Sequence, residues 1–317
     1  MKHLLAVVLA LAAVSSHAQQ YPSKPVRLIV SYVPGGVSDT LARLVAKELT
    51  EEWNTSVIVE NRPGASGNIG TTQCVKSPPD GYTMCIVAVA QSMASRVAPN
   101  AGFDSLKDFS HVTLVASVPM LLLVHPSLPA YTARDLIALA KKRPGELNYA
   151  TSGVGSGPQL AMELFKQQAG IDIVMVQYKG GGQAVFDQIA GRVETAFSAA
   201  VGVIPYVNEG KLRAVGVSTR ERFPVLPKVP TISESGLKGY DASSWQGLSM
   251  PAGVPREIVN RANAALVKVL KSPQMRERFL ALGAVPVGNS PEAFAAFFNA
   301  ESEKWYRVAK TAGVIGK

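Results

Sequence analysis

The sequence predicts an α/β protein of two related lobes with a ligand cleft between them, and three observations support this prediction. A strand, a glycine turn and an amphipathic helix follow one another over residues 27–53, and the same order recurs over residues 147–168. In both places a second glycine-rich loop follows the next strand, at residues 61–70 and 179–183. A chain of 317 residues also exceeds one comfortable hydrophobic core, which favours two lobes.

The N-terminal segment is typical of a secretory signal peptide. Lys2 forms the charged region, residues 4–14 form the apolar region, and Ser16-His17-Ala18 forms a small-residue cleavage site. We therefore expect cleavage near Ala18, a mature chain from Gln19 and a periplasmic location. The apolar region is shorter than the roughly 20 residues of a spanning helix, and no later run is that long, so we expect no transmembrane helix after processing.

The composition is that of an ordinary globular chain, with 47% hydrophobic and 17% charged residues and a formal charge of +9. A basic chain attracts anions, which include nucleic acids, anionic surfaces and small anionic ligands. The basic residues are scattered without an arginine-rich run, and the chain is expected to be exported, so we expect no nucleic-acid partner. A small anionic ligand agrees with this composition.

Cys74 and Cys85 are the only cysteines in the sequence. They flank a turn at residues 77–81, and in an oxidising compartment such a pair is a candidate disulfide. Two separate buried thiols are the alternative, because the direction of a side chain is not readable from sequence. His111 and His125 are the histidines that follow the signal, and neither lies at ligand spacing to a cysteine, so we expect no metal site and no cofactor.

The turn Pro34-Gly35-Gly36 joins the first strand directly to the first helix. The first N–H groups of a helix have no partner within the helix, so this turn is suited to binding an anion. The same arrangement also occurs simply to let a chain reverse. A counterpart at residues 153–158 favours the binding interpretation, because Pro158 suits the first helical position and the amides of residues 156–160 offer a second anion site.

Hydrophobic periodicity and turn residues predict the remaining elements. Pro119 separates two apolar runs, and we expect the chain to pass there into the second lobe and to return near residues 240–250. The predicted division is a signal peptide at residues 1–18, a first lobe of residues 19–119 and 244–317, and a second lobe of residues 120–243. Strands are predicted at residues 56–60, 83–88, 112–116, 120–124, 173–178, 193–198 and 212–218, and helices at residues 132–142, 160–168, 183–190 and 291–312 and after Pro255.

Seven short motifs are spread in order over essentially the whole mature chain. They are Tyr21-Pro22-Ser23-Lys24-Pro25-Val26-Arg27, Pro34-Gly35-Gly36 with Asp39, Val59-Glu60-Asn61-Arg62-Pro63-Gly64-Ala65, Pro79-Asp80-Gly81-Tyr82-Thr83, Tyr178-Lys179-Gly180, Gly210-Lys211-Leu212-Arg213-Ala214 and Ser244-Trp245-x-Gly247-Leu248-x-x-Pro251-Ala252-Gly253. Together they resemble the Bug receptors, the TctC-like substrate-binding proteins of tripartite tricarboxylate transporters. Several motifs in one order are more specific than any single motif.

The resemblance implies a two-lobed periplasmic binding protein of the type II-like architecture. Such a receptor captures a small organic carboxylate, which includes di- and tricarboxylates, amino acids and aromatic acids, and delivers it to a membrane permease. In the family, the loops that match residues 33–39 and 63–68 hold one carboxylate, largely through backbone groups and bridging waters. The segment that matches residues 151–157 and nearby loops hold the rest of the ligand. We expect a monomer.

The predicted ligand-binding residues lie in these loops and at the ends of the neighbouring strands. Three of them depart from the family pattern: Val37 stands where Ala or Gly is more usual, Ser66 replaces a common Gly, and Ser198 follows Phe197 where Asp is commoner. The departures bear on the identity of the ligand and not on the fold. The full set is Tyr32, Val33, Pro34, Gly35, Gly36, Val37, Ser38, Asp39, Ala65, Ser66, Gly67, Asn68, Gln91, Thr151, Ser152, Gly155, Ser156, Gly180 and Ser198.

Several single residues have two interpretations. Asp39 is suited to receiving a ligand ammonium group, but an acid in the first turn also stabilises a helix. Arg62 is suited to pairing with a ligand carboxylate, and a solvated arginine or a structural ion pair is the alternative. Tyr32, Tyr178 and Trp245 either line the cleft or pack in the core.

Two other functional classes are considered beside transport. An enzyme is disfavoured, because Leu160 stands where the dinucleotide fingerprint begun by Gly155-Ser156-Gly157 requires glycine, and residues 64–68 lack the last glycine of the nucleophile-elbow motif. A sensory receptor that passes the binding signal to a sensor kinase would have the same cleft chemistry. The sequence therefore predicts reversible ligand binding and no catalytic residues.

Overall fold

The computed structural model describes residues 21–98, 100–151, 153, 155–178 and 181–315. The predicted signal peptide and the predicted site residues Ser152 and Gly180 lie outside the described residues. In the described part of the chain, none of the helices has the length and apolar character needed to cross a membrane.

The first of two β-sheets has six strands and is formed by two separate parts of the chain. Its strands are β1 (Val26–Val30), β2 (Val57–Asn61), β3 (Thr83–Ala88), β4 (Phe109–Val118), β10 (Ser244–Pro251) and β11 (Val285–Pro286). Their order across the sheet is β11-β4-β10-β3-β1-β2. Strand β1 pairs in parallel with β2 and β3, whereas β10 lies antiparallel between β3 and β4.

The second sheet has five strands, all from one continuous segment of the chain. They are β5 (Met120–Val124), β6 (Asn148–Thr151), β7 (Val174–Gln177), β8 (Thr195–Ala199) and β9 (Arg213–Val217). Their order is β7-β6-β8-β5-β9. Strand β6 pairs in parallel with β7 and β8, and β5 pairs antiparallel with β8 and β9.

Helices connect the strands and cover the sheets. Helix α1 is an example of a helix with one buried face, because Leu41, Val45 and Leu49 recur at helical spacing and are fully buried or nearly so. The helices are α1 (Val37–Trp53), α2 (Asn68–Val75), α3 (Val89–Val97), α4 (Ala133–Lys142), α5 (Gly157–Ala169), α6 (Gly181–Ile189), α7 (Ala200–Asn208), α8 (Arg256–Leu270), α9 (Pro273–Ala281) and α10 (Pro291–Thr311).

The predicted repeat is present in both sheets. Strand, glycine turn, helix and parallel strand follow one another in β1-α1-β2 and in β6-α5-β7, with Leu28 opposite Val59 in the first pair and Ala150 opposite Val176 in the second. Parallel strands end at the same edge of a sheet, where ligands of open α/β sheets bind. The mixed α/β architecture with two sheets agrees with the predicted fold class.

Three helices, α3, α7 and α9, were not predicted by the sequence pattern. Helix α9 carries the usual signal, a Ser272 cap followed by Pro273, which the prediction overlooked. Helices α3 and α7 lack it. Helix α3 lies where an irregular segment was expected, since it begins directly after β3 at Ala88, which has no capping side chain. The side chain of Gln91 instead accepts the Ala88 N–H at 3.1 Å. Helix α7 contains Pro205, a residue that argues against a helix interior.

Two junctions join strands of different sheets. Pro119 lies between β4 and β5, and Ser244 begins β10 after the chain has left β9. We propose these junctions as the crossings between the lobes, with lobe limits of residues 19–119 with 244–317 and residues 120–243.

The structure joins Cys74 of α2 and Cys85 of β3 in a disulfide, with the two Cα atoms 6.1 Å apart. Both residues are fully buried. The bond ties α2 to the middle of the first sheet, because β3 lies between β1 and β10. It therefore holds in place the helix that follows the predicted second binding loop.

An aromatic cluster packs α10 against the first sheet. The rings of Phe294 and Phe298 lie 5.0 and 4.5 Å from that of His111 on β4. The indole N–H of Trp245 donates to the buried carboxylate of Glu301 at 2.9 Å. Trp245 is thus a core residue, which decides between its two interpretations.

We expect stability to fall on acidification because of His111. Burial lowers the pKa of His111 to about 4, whereas the ordinary value is 6.5. Between these values the unfolded chain binds a proton that the folded chain does not, so this stability is fully present above pH 6.5 and declines as the pH falls towards 4. From pH 6.5 to 5 the free energy of unfolding should decrease by about 2 kcal/mol.

Urea unfolding at pH 6.5 and pH 5, with wild type and His111→Phe in parallel, measures this decrease. The variant keeps a ring among Phe294 and Phe298 but has no group that titrates. Carboxylates elsewhere contribute equally to both proteins, so the difference between their two decreases in the free energy of unfolding isolates the contribution of His111. Equal decreases in wild type and variant would contradict the prediction.

Candidate functional site

A cavity of about 580 Å³ opens where loops of both sheets meet. This volume is typical of small-molecule sites, which span roughly 300–1,000 Å³. The first sheet contributes the turn after β1, and the second contributes the ends of β6 and β8 with parts of α6 and α7. The described residues that line the cavity are Tyr32, Val33, Gly35, Gly36, Val37, Ser38, Ala150, Thr151, Pro158, Gly181, Gly182, Ala184, Val185, Phe186, Phe197, Ser198, Ala199, Val201, Gly202, Val203 and Tyr206.

The predicted site residues fall into two groups around this cavity. Those that line it are Tyr32, Val33, Gly35, Gly36, Val37, Ser38, Thr151 and Ser198. Those that do not line it are Pro34, Asp39, Ala65, Ser66, Gly67, Asn68, Gln91, Gly155 and Ser156.

The buried carboxylate of Asp39 fixes the shape of the first turn. It accepts hydrogen bonds from the Gly35 N–H at 2.9 Å, from Asn61 Nδ2 at 2.8 Å and from Arg43 Nε at 3.0 Å. Asn61 also donates to the carbonyl of Tyr32 at 3.1 Å. Burial disfavours the charged form of Asp39, but the hydrogen bonds from Arg43, Gly35 and Asn61 outweigh it and hold its pKa below its usual value. The structural interpretation of Asp39 is therefore favoured over contact with a ligand.

The N-terminus of α1 faces the cavity without a capping side chain. Gly36 is its N-cap residue and makes no side-chain cap. Gly36, Val37 and Ser38 all line the cavity, so the first amides of the helix are available to an anion. The hydroxyl of Ser38 donates to Gln246 Oε1 at 2.8 Å, which ties this helix end to β10.

The second predicted loop supports the first turn from behind. The hydroxyl of Tyr32 donates to Gln91 Oε1 at 3.1 Å, and Gln91 Nε2 donates to the carbonyl of Ser66 at 3.4 Å. Gly67 has a φ of +94°, and a Cβ there would stand 2.5 Å from Gln91 Nε2. Burial raises the pKa of Tyr32, so its hydroxyl stays protonated and able to donate.

Helix α5 caps itself, unlike α1. Ser156 Oγ accepts the Gln159 N–H at 3.4 Å, and the Gly155 N–H donates to Gln159 Oε1 at 2.6 Å. The Leu160 N–H bonds the Ser156 carbonyl at 3.0 Å. The structure argues against the expected second anion site at residues 156–160, because the N–H groups of Ser156, Gln159 and Leu160 are used within the loop and helix and Pro158 has none.

The part of the site formed by α6 and α7 was not predicted from the sequence. Gly181 and Gly182 begin α6 and line the cavity, and so does Phe186 further along. Helix α7 begins at the cavity wall after Ala199, and no side chain caps it. The glycine loop at residues 179–183 signalled the start of α6, whereas Pro205 concealed α7.

The other candidate residues have structural roles. Arg62 pairs with Glu60 at 3.3 Å. Burial and a hydrogen bond to Asp187 raise the pKa of Tyr178, which does not line the cavity. In the described ranges, no group of three or more His, Cys, Asp or Glu side chains is placed to hold a metal ion.

The family model described as "Tripartite tricarboxylate transporter family receptor", TctC, matches residues 41–314 of this chain. The chain belongs to the TctC family. The match confirms the resemblance that the seven sequence motifs indicated. It includes α1 from Leu41 onward and most of the cavity wall, together with both sheets apart from β1.

Three solved structures with the same fold illustrate the match. R. palustris Rpa4515 with adipate superposes with a TM-score of 0.84 at 38% identity, covering 93% of this chain and 99% of that chain. The periplasmic binding protein BugD gives 0.80 at 30% identity, covering 94% and 100%. MatC (Rpa3494) from Rhodopseudomonas palustris with bound malate gives 0.78 at 30% identity, covering 91% and 99%. These matches confirm the predicted fold class, that of periplasmic solute-binding proteins.

Proposed function

We propose that this TctC receptor captures a small organic carboxylate in the cleft and delivers it to the permease of a tripartite tricarboxylate transporter. The observation that carries the proposal is the uncapped N-terminus of α1, held open towards the cavity by Asp39. The adipate bound by Rpa4515 and the malate bound by MatC support the ligand class. Family membership supports the transporter partnership.

In the proposed complex, one carboxylate lies against the amides of Gly36, Val37 and Ser38. Preorganised amides at a helix N-terminus favour a negative charge without any charged side chain. The second sheet supplies Thr151 and Ser198 on the opposite wall. We propose that the lobes close over the ligand by bending where the chain crosses between the sheets, near Pro119 and Ser244.

The location and the partners are part of the same proposal. We propose that the signal peptide is removed near Ala18 and that the mature monomer acts in the periplasm. Permease genes beside this gene would support transport, whereas a neighbouring sensor kinase gene without permease genes would favour a sensory receptor.

A ligand screen tests the proposal. Thermal shift and calorimetry with mono-, di- and tricarboxylates, amino acids and aromatic acids should find at least one acid that binds in a 1:1 complex and is recovered unchanged. Mass spectrometry of the small molecule that co-purifies with the native protein identifies the natural ligand independently. If no acid binds, or if a bound acid is chemically converted, the proposal is wrong.

A further inference from the structure

The cavity has two walls of different chemistry. Backbone groups of the turn after β1 and the uncapped start of α1 form the polar wall. Apolar side chains from α6, α7, β8 and the turn itself form most of the remainder. These side chains are Val33, Val185, Phe186, Phe197, Val201, Val203 and Tyr206.

Two of these apolar side chains are exposed to an unusual degree. Phe186 is 64% exposed and Val33 is 62% exposed. Exposing a large apolar side chain forfeits the free energy of burying it, which is roughly 1.5–3 kcal/mol for a phenylalanine or valine. Exposed apolar surface at a cleft marks a place that another molecule covers. An apolar part of the ligand would recover that free energy.

The cavity offers few free polar groups for the rest of a ligand. Five hydroxyl groups belong to residues that line it, and those of Tyr32, Ser38 and Thr151 already bond to other protein groups. Among the described residues that line it, none is Asp, Glu, Lys, Arg or His. A ligand body that carries several hydroxyl or amino groups could pair them only with the hydroxyls of Ser198 and Tyr206 and the first amides of α7. Each group left unpaired on burial costs free energy.

We propose that this receptor selects carboxylates whose body is apolar, either aryl or alkyl, and that Phe186 is the residue that sets this preference. The proposal rests on the proposed function, because the carboxylate end is assigned to the start of α1. The backbone recognises the anionic group, and the apolar wall recognises what is attached to it. Hydroxylated acids such as malate and citrate should bind more weakly.

Calorimetry with two sets of acids tests the preference. Benzoate, phenylacetate, hexanoate and cyclohexanecarboxylate have one carboxylate and an apolar body, whereas malate and citrate carry hydroxyl groups and further carboxylates. We expect the tightest apolar-bodied acid to bind at least about tenfold more tightly than either hydroxy acid. Phe186→Ala should weaken that acid about tenfold and leave the hydroxy acids within about twofold.

Two control variants separate selectivity from general damage. Phe186→Leu keeps an apolar side chain and should retain most of the affinity. Leu106→Ala removes an apolar side chain that is 51% exposed and lies outside the cavity, so it should leave every affinity unchanged.

The outcomes distinguish this inference from the proposed function. If malate or citrate binds as tightly as the apolar-bodied acids, or if Phe186→Ala weakens all acids equally, the inference is overturned and carboxylate capture stands. If none of the six acids binds and the wider screen also finds no carboxylate, the proposed function fails as well.

Discussion

Gly36→Phe should lower ligand affinity at least about 100-fold while the protein stays folded. Gly36 lines the cavity directly in front of the α1 amides. Its φ is −77°, which any residue adopts, and the nearest atom to an added Cβ is the Val33 carbonyl oxygen at 3.7 Å. A phenylalanine Cβ therefore fits at this position without backbone strain, and we expect its ring to occupy the space proposed for the carboxylate.

Gly182→Phe is the matching change on the opposite wall, because Gly182 lines the cavity and an added Cβ meets nothing within 4 Å. Ala264→Phe places the same ring on the exposed face of α8 and is the control. Calorimetry with the tightest acid of the screen gives the affinities, and circular dichroism with thermal unfolding checks the fold. Unchanged affinity in both cavity variants, with the fold retained, would remove this cavity from the binding site.

Asp39→Ala should lower the free energy of unfolding by about 3 kcal/mol and weaken ligand binding at least about tenfold. The change leaves the Gly35 N–H and the side chains of Asn61 and Arg43 without the carboxylate they share. The turn that presents the helix amides then loses its main internal support, so ligand binding has to order it again.

Urea unfolding and calorimetry measure the two effects of Asp39→Ala separately. Arg43→Ala is the matched control, because the Arg43 side chain is half-exposed and contributes less, about 1 kcal/mol or below. If Asp39→Ala leaves both stability and affinity within experimental error, the carboxylate does not hold the turn.

The sequence predicted the repeated strand–turn–helix unit because its signals are local. Pro34-Gly35-Gly36 ends one strand and begins one helix, and Ser156 with Pro158 begins the other. Cap residues, prolines and apolar periodicity act within a few positions of one another. The resemblance carried by the family motifs predicted the fold and part of the cavity, because the loop of residues 33–39 lines it.

The structure was needed to show that the N-terminus of α1 is open whereas that of α5 is capped. Asp39 and Gln159 occupy the same position in the first turn, and each side chain accepts the N–H of the glycine before the cap. Ser156 then caps α5 with its own hydroxyl, whereas Gly36 has none to offer. One cap residue thus decides which helix end is open to a ligand.

The apolar wall of the cavity was not predicted from the sequence, because its residues come together only through packing. Phe186 and Tyr206 reach the cavity only because α6 and α7 are placed beside the turn after β1, and that placement depends on contacts distant in sequence. Pro205 also made α7 look unfavourable as a helix. Residues whose role depends on packing leave little signal in a single sequence.

The central place of β10 sets the order in which the protein can be assembled. The second sheet needs only residues 120–217, a continuous segment that becomes complete while the last third of the chain is still to follow. The first sheet has β10 between β3 and β4, so its earliest strands have to wait for residues 244–251 to close it. The part of the molecule that presents the turn proposed to bind a carboxylate begins first along the chain and is completed last.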